Sequence, residues 1–333
     1  MLRIIIVLFC SLLLINCERN PVNGDNNDDS NTQNEERILF IRNVKKKLSQ
    51  ICTMKPDGSH IKVISQTEVN LHNIGYIQAR WSPDKSKVVV VGGPESSPDI
   101  FPLWLIDMSG NFCRKIATDG FMSVWESNGE YIIFAHRRGY FSETFDIYRI
   151  NINTGEESVI LWAETGTSGP NSGYIYQLLD IFPGEDNKIL LNEYYTYRDT
   201  TSGEQIREDS ELLIYDYLTE AKTYLTNNDL NEGWARISND GNFIIYHLND
   251  GLYLMDKFGE NIEEVIANTN KKQQFLHLCW SPDGKKVLAS ILDSSIENNR
   301  FYDIYAIDLN TKAFLNLTNT AKDSISNYVM DWK

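Results

Sequence analysis

Trp81-Ser82-Pro83-Asp84-Lys85 returns late in the chain as Trp280-Ser281-Pro282-Asp283-Gly284. Looser copies stand at Trp125-Glu126-Ser127-Asn128-Gly129 and Ile237-Ser238-Asn239-Asp240-Gly241. Pro presets φ for the first turn position, Asp or Asn accepts a local backbone hydrogen bond, and Gly tolerates positive φ. The phrase is therefore a tight connection between two antiparallel strands. The Trp ahead of it presents a large apolar surface that can pack between neighbouring sheets.

Working outward, each copy is followed by a short apolar, β-rich run at residues 87–91, 131–134, 243–246 or 286–289. A second phrase comes next: Leu103-Trp104-Leu105-Ile106-Asp107, Asp146-Ile147-Tyr148-Arg149-Ile150, Leu252-Tyr253-Leu254-Met255-Asp256, or Asp303-Ile304-Tyr305-Ala306-Ile307-Asp308. An outer strand such as 313–317 closes the unit. Four strands per unit, repeated at this spacing, read as propeller blades. The pattern resembles the WD40-like Pro-Asp repeat of TolB-type β-propellers, whose signature is W-S-P-D-G, and it covers almost everything after residue 36.

Clear blades start near Tyr76, Phe121, Gly233 and Phe275, and residues 174–227 supply another with a degraded signature, Ile181-Phe182-Pro183-Gly184. The sixth is split: residues 327–332 end at Trp332, and 37–41, 50–55 and 61–64 provide its remaining strands. Pairing the last strand with the first removes both exposed edges. The expected fold is all-β, a six-bladed β-propeller closed by a split N-/C-terminal blade. Trp81, Pro83, Asp84, Trp125, Trp280, Pro282, Asp283, Gly284 and Trp332 are its structural signature.

Ahead of the repeats, Arg3 precedes a twelve-residue apolar run, residues 4–15. A helix needs roughly twenty residues to span a bilayer, so this run is a signal-peptide core. It ends in Leu14-Ile15-Asn16-Cys17, which resembles the bacterial lipobox. The resemblance implies that Cys17 becomes the lipid-modified first residue and holds the protein on a membrane. Residues 18–36, with the run Asp25-Asn26-Asn27-Asp28-Asp29, show no apolar period and have nothing to bury. The organisation is thus a signal peptide at 1–16, an acidic tether at 17–36 and the propeller at 37–333.

Composition agrees with a folded domain. Of 333 residues 42 % are hydrophobic, and 31 basic against 46 acidic side chains leave a net charge of −15. That is too apolar for a disordered chain, and it lacks the basic footprint that nucleic-acid binding requires. The five cysteines, Cys10, Cys17, Cys52, Cys113 and Cys279, form no C-x-x-C pair and read as buried small side chains apart from those in the leader.

Catalytic patterns are missing: G-x-S-x-G, H-E-x-x-H, the P-loop and G-x-G-x-x-G do not occur. The histidines His60, His72, His136, His247 and His277 show no metal-ligand spacing; only His277, on an inner strand, could face the channel. Carboxylates such as Glu126, Asp180, Glu193 and Glu232 form no acid–base pair that spacing identifies. No cofactor and no metal are expected, and the chain reads as non-enzymatic.

Binding residues usually sit on variable loops of a rigid scaffold. The variable connections here are 92–102, 136–145, 162–173, 193–210 and 293–302. The most distinctive is Glu193-Tyr194-Tyr195-Thr196-Tyr197-Arg198-Asp199. With Tyr140, Phe141, Trp162, Tyr174 and Tyr176, its tyrosines form either an aromatic binding rim or mere extensions of strands. The resulting expectation is a monomeric, lipid-anchored propeller on the periplasmic or surface side of the cell envelope, recognising an envelope protein or other ligand. The alternative is a carbohydrate-active propeller, either glycan-binding or resembling oligogalacturonide lyases.

Overall fold

The computed structural model describes residues 36–44, 49–64, 78–92, 101–108, 111–137, 145–163, 173–199, 201–249, 251–267, 273–295 and 300–333. Within them, strands assemble into six four-stranded antiparallel sheets. Blade I begins with β1 (Ile38–Val44), β2 (Gln50–Met54) and β3 (Lys62–Val63). Blade II holds β4 (Ala79–Trp81), β5 (Lys87–Val91), β6 (Leu103–Asp107) and β7 (Phe112–Ala117). Blade III holds β8 (Phe121–Trp125), β9 (Tyr131–Arg137), β10 (Phe145–Asn151) and β11 (Glu157–Leu161). Blade IV holds β12 (Gly173–Ile181), β13 (Lys188–Arg198), β14 (Gln205–Asp216) and β15 (Ala221–Tyr224). Blade V holds β16 (Glu232–Ile237), β17 (Phe243–Leu248), β18 (Gly251–Asp256) and β19 (Glu263–Ile266). Blade VI holds β20 (Gln273–Trp280), β21 (Lys286–Asp293), β22 (Asp303–Asp308) and β23 (Phe314–Asn316).

The last strand, β24 (Ile325–Trp332), returns to blade I as its innermost member and pairs antiparallel with β1, from Ile38↔Trp332 to Val44↔Ile325. Arg37 and Lys333 exchange backbone hydrogen bonds of 2.7 and 3.1 Å at the end of this ladder. The split blade expected from the sequence is present. Inner strands touch in the cycle β24, β4, β8, β12, β16, β20 and back to β24, which makes the arrangement a closed six-bladed propeller.

The core lies between blades. Val88, Val89 and Val90 of β5 are all buried, a run that one-sided burial would not produce, because each middle strand is covered on both faces. One apolar cluster joins blades II, III and IV, and separate clusters fill the I–II, VI–I, V–VI and IV–V contacts. Exposure rises outward, as in β15, where Tyr224 is 48 % exposed.

The signature supplies both a turn and a staple. Ser281 Oγ donates to Asp283 at 2.7 Å, and Gly284 N–H donates to the Ser281 carbonyl at 2.9 Å. Ser82 and Asp84 repeat the contact at 2.6 Å, as do Ser238 and Asp240. Trp125 Nε1 donates to the Arg80 carbonyl at 3.2 Å and Trp280 Nε1 to the Arg236 carbonyl at 3.0 Å. Each of these indoles therefore fills an interblade gap and bonds the inner strand of the preceding blade; truncating such a side chain to Ala costs roughly 3–5 kcal/mol.

One expectation is corrected. Residues 193–198 do not form a loop but continue β13, paired from Tyr194↔Ser210 to Arg198↔Gln205 with β14. Only the short turn after Asp199 connects them, closed by Asp199 N–H to the Glu204 carbonyl and Gly203 N–H to the Asp199 carbonyl, both at 2.8 Å. Alternating Tyr and Thr with a paired partner strand favours extension over a loop.

Candidate functional site

Around the propeller axis, a single position repeats six times: the residue immediately before each signature Trp or its Ile replacement. In blade order these are Asp331, Arg80, Val124, Asp180, Arg236 and Cys279. Side chains alternate across a strand, so while the Trp enters one interblade gap, its predecessor is turned away from that gap. All six line one cavity of about 130 Å³, walled by residues from the inner strands of every blade and capped by Pro183, Asn239 and Lys333. It lies at the end of the channel where the signature turns sit.

The sextet has a two-fold pattern. Three blades separate Arg80 from Arg236, and three separate Asp331 from Asp180, so like charges face each other across the axis. Arg80 is 8 % exposed and Arg236 4 %. Their bonds within the chain run to backbone carbonyls: Arg80 Nη1 to Met330 at 3.2 Å, Arg236 Nε to Leu278 at 3.0 Å, and Arg236 Nη1 to Leu179. The carboxylates are occupied elsewhere. Asp180 accepts the Ile237 N–H at 3.1 Å, and Asp331 accepts the N–H groups of Trp81 and Trp332, both at 3.0 Å. Burial, and then the charge of Arg80, pull the Arg236 guanidinium below its ordinary value. Burial, and then Asp331, push the Cys279 thiol up, which keeps it protonated and unsuited to nucleophilic work.

The tyrosines of the sequence motif divide between two faces of blade IV. Tyr174 and Tyr195 are directly paired across β12 and β13, their rings 5.1 Å apart in an edge contact, and Tyr197 follows at 6.3 Å from Tyr195. Below them, the buried Glu193 accepts from Lys222 Nζ at 2.8 Å and from the Tyr224 hydroxyl at 2.5 Å, and Lys222 also donates to Tyr176 at 2.6 Å. Tyr194 pairs with Ile175 and alternates to the other face. Trp162, 59 % exposed, lies just past β11, and the neighbouring Ile160 carbonyl accepts the Tyr215 hydroxyl of β14 at 3.1 Å. The structure thus unites Tyr174, Tyr195 and Tyr197 and sends Tyr194 elsewhere, while Tyr140 and Phe141 lie outside the described residues.

The remaining candidates are dispersed. His277 is buried between Trp234 and Tyr328, with ring centroids at 4.6 and 5.8 Å. His247 packs on Phe275, and burial lowers it to about 3, leaving it neutral. Glu126 binds Arg149 and Tyr217, while Glu232 accepts from Asn228 at 2.8 Å. Among the described residues no three His, Cys, Asp or Glu side chains cluster as metal ligands.

No family model and no curated protein sequence matches the chain. Solved structures do. TolB from Acinetobacter baumannii aligns with a TM-score of 0.61 over 90 % of this chain and 67 % of its own, at 13 % identity. A protein described as TolB from Agrobacterium tumefaciens gives 0.57 over 88 % and 98 %, also at 13 % identity. The fold is TolB-like. An oligogalacturonate lyase in complex with manganese follows at 0.50, over 85 % of this chain and 73 % of its own, with 14 % identity. At these identities the likeness establishes the six-bladed architecture and nothing about ligands.

Reading the repeats for their turns overlooks the axial sextet. Its signal was available: once the copies are aligned on Trp, the preceding column reads Arg, Val, Asp, Arg, Cys, Asp, far more polar than an inner strand needs for packing.

Proposed function

We propose that this chain is a lipid-anchored propeller of the cell envelope that recognises a partner protein without transforming it. The observation that supports the reading is one face of blade IV, where Tyr174 of β12 meets Tyr195 and Tyr197 of β13, with the exposed Trp162 at the end of the adjoining blade. Rigid aromatics with polar tips supply contact area at small conformational cost, and they dominate protein interfaces. The paired strands hold them in place before any partner arrives, so little ordering entropy opposes association. Attachment through Cys17 and the tether at 17–36 would keep this surface beside a membrane.

Capture from detergent-solubilised envelopes tests the proposal. Replacing Tyr174, Tyr195 and Tyr197 together by Ala is expected to abolish capture of the partner seen with the unaltered protein while leaving the melting temperature within about 2 °C. Undiminished capture by the triple variant would refute this tyrosine face as the recognition surface. Selective binding of an acidic oligosaccharide at the same tyrosines would instead assign the carbohydrate reading.

A further inference from the structure

The axial cavity is unlike an ordinary propeller core in one respect: it holds two buried guanidinium groups whose counter-charges, Asp180 and Asp331, line the same space without pairing directly with them. Arg80 and Arg236 are each more than nine-tenths buried, and among the described residues no carboxylate oxygen lies within 4.0 Å of either one. Arg80 Nη2 is buried and has no hydrogen-bond partner at all. A buried charged donor left without an acceptor is costly, and such a group in a native structure calls for an explanation. Because the two arginines occupy equivalent positions three blades apart, they line the same cavity from opposite walls.

We propose that this cavity binds a small oxyanion, a carboxylate or phosphate group held between Arg80 and Arg236. The planar guanidinium fork matches the geometry of both groups, and an anion there supplies the acceptor that Nη2 lacks. The cavity of about 130 Å³ has room for an anion of a few heavy atoms. Asp180 and Asp331 narrow the chemistry further. They line the same cavity and already accept backbone N–H groups, so they repel a bare dianion and favour a ligand that carries its own donor. A hydroxycarboxylate, an amino acid or hydrogen phosphate satisfies both demands. The site is separate from the tyrosine face, since none of Tyr174, Tyr195 and Tyr197 lines it and it lies at the turn end of the channel.

Calorimetric titration and thermal melting of the full chain with inorganic phosphate, L-lactate and L-alanine decide the question, with sodium chloride at matched ionic strength as control. At least one of the three is expected to bind with a dissociation constant below about 10 mM and to raise the melting temperature, as mass action requires. Which probe binds separates phosphate from carboxylate, and lactate from alanine separates hydroxyl from ammonium donors. Arg80→Met is expected to weaken that binding at least tenfold, and Arg80→Lys, which keeps the charge but loses the fork, by about tenfold. Should Arg80→Met fail to fold, Arg80→Lys alone carries the comparison. Absence of binding by all three probes, or equal binding by the folded Arg80 variants, overturns the proposal.

Discussion

After Trp280, the turn is held by its own residues: Ser281 donates to Asp283, and Lys286 N–H returns to Ser281 Oγ at 2.9 Å. After Trp125 the same place is taken by Glu126; Gly129 N–H still closes the turn on the Glu126 carbonyl at 3.0 Å and Asn128 accepts the Glu130 N–H at 2.8 Å, but the serine hydroxyl that ties the first turn to its outgoing strand is gone. Its carboxylate is instead buried against blade III and blade IV, accepting from Arg149 Nη2 at 2.8 Å and from the Tyr217 hydroxyl at 3.1 Å. Ser127 then reaches across to Asp186 of blade IV through its N–H at 2.9 Å and its hydroxyl at 2.6 Å. Both turns close locally on a Gly N–H, and the second adds an interblade tie in place of the serine bond, although both begin with the same Trp. The difference shows that a degraded repeat signature need not mark a weak blade. It can mark the place where a neighbour adds a tie to a turn that is already closed.

The largest effect that would break this comparison belongs to Glu126. Its side chain is 2 % exposed and that of Arg149 26 %, so Glu126→Ala strands a largely buried cation and removes the acceptor of Tyr217. A loss of about 3 kcal/mol is expected in denaturant melts, at the low end for a buried pair because Arg149 retains some water. A loss below about 1 kcal/mol would mean that the blade III turn is self-sufficient after all. Burial, and then the Glu126 charge, push the Tyr217 hydroxyl up to about 12, so Tyr217 remains a donor throughout the neutral range.

Acid probes the self-closed turns. Desolvation works to raise the Asp84 carboxyl, but hydrogen bonds from Ser82 and Ser86 outweigh it and hold it at about 2, against an ordinary 3.8. Asp240 and Asp283 are lowered in the same way, chiefly by Ser238 and Ser281. The folded state thus resists protonation that the unfolded chain accepts. Stability from Asp84 is present above 3.8 and is lost as pH falls through about 2. Because the group is largely exposed, its share is held to less than about 1 kcal/mol. Asp84→Asn should flatten the stability curve over that interval by this amount, measured by urea unfolding at successive pH values; an unchanged slope would remove the carboxylate from the turn's energetics.

The smallest effect sharpens the likeness between the two complete signatures. Lys85 adopts φ 57 where its counterpart Gly284 has φ 68, and a side chain in the left-handed region costs roughly 1 kcal/mol. Part of that gain is cancelled by the extra freedom of Gly in the unfolded chain. Lys85→Gly should therefore stabilise the protein by about 0.5 kcal/mol, and destabilisation would show that Lys85 contributes a contact worth more than its strain.

Much of the fold could be read directly. The turn phrase is local chemistry, and its recurrence with four apolar runs defined the blades and even the split one, which depends on Trp332 ending the chain of copies. The hairpin was less legible. Tyr194, Tyr195 and Tyr197 look alike in sequence, and neither β-propensity nor loop composition tells a surface loop from a strand whose partner, Gln205 to Ser210, lies beyond the next turn. Pairing decided that it was a strand, and alternation then separated Tyr194 from the other two.

By itself the sequence determined the repeat, the chemistry of its turns and the position from which Trp or Ile enters an interblade gap. Those properties depend on residues near one another along the chain, where rotamers, φ preferences and short hydrogen bonds act. Only the closed ring decided that Arg80 faces Arg236, that Asp331 faces Asp180, and that Glu126 is completed by Arg149 and Tyr217. The pairing of β24 with β1 fixes the number of blades around the axis and with it which equivalent positions lie opposite each other. No local preference carries that information, because it arises when the two ends of the chain meet.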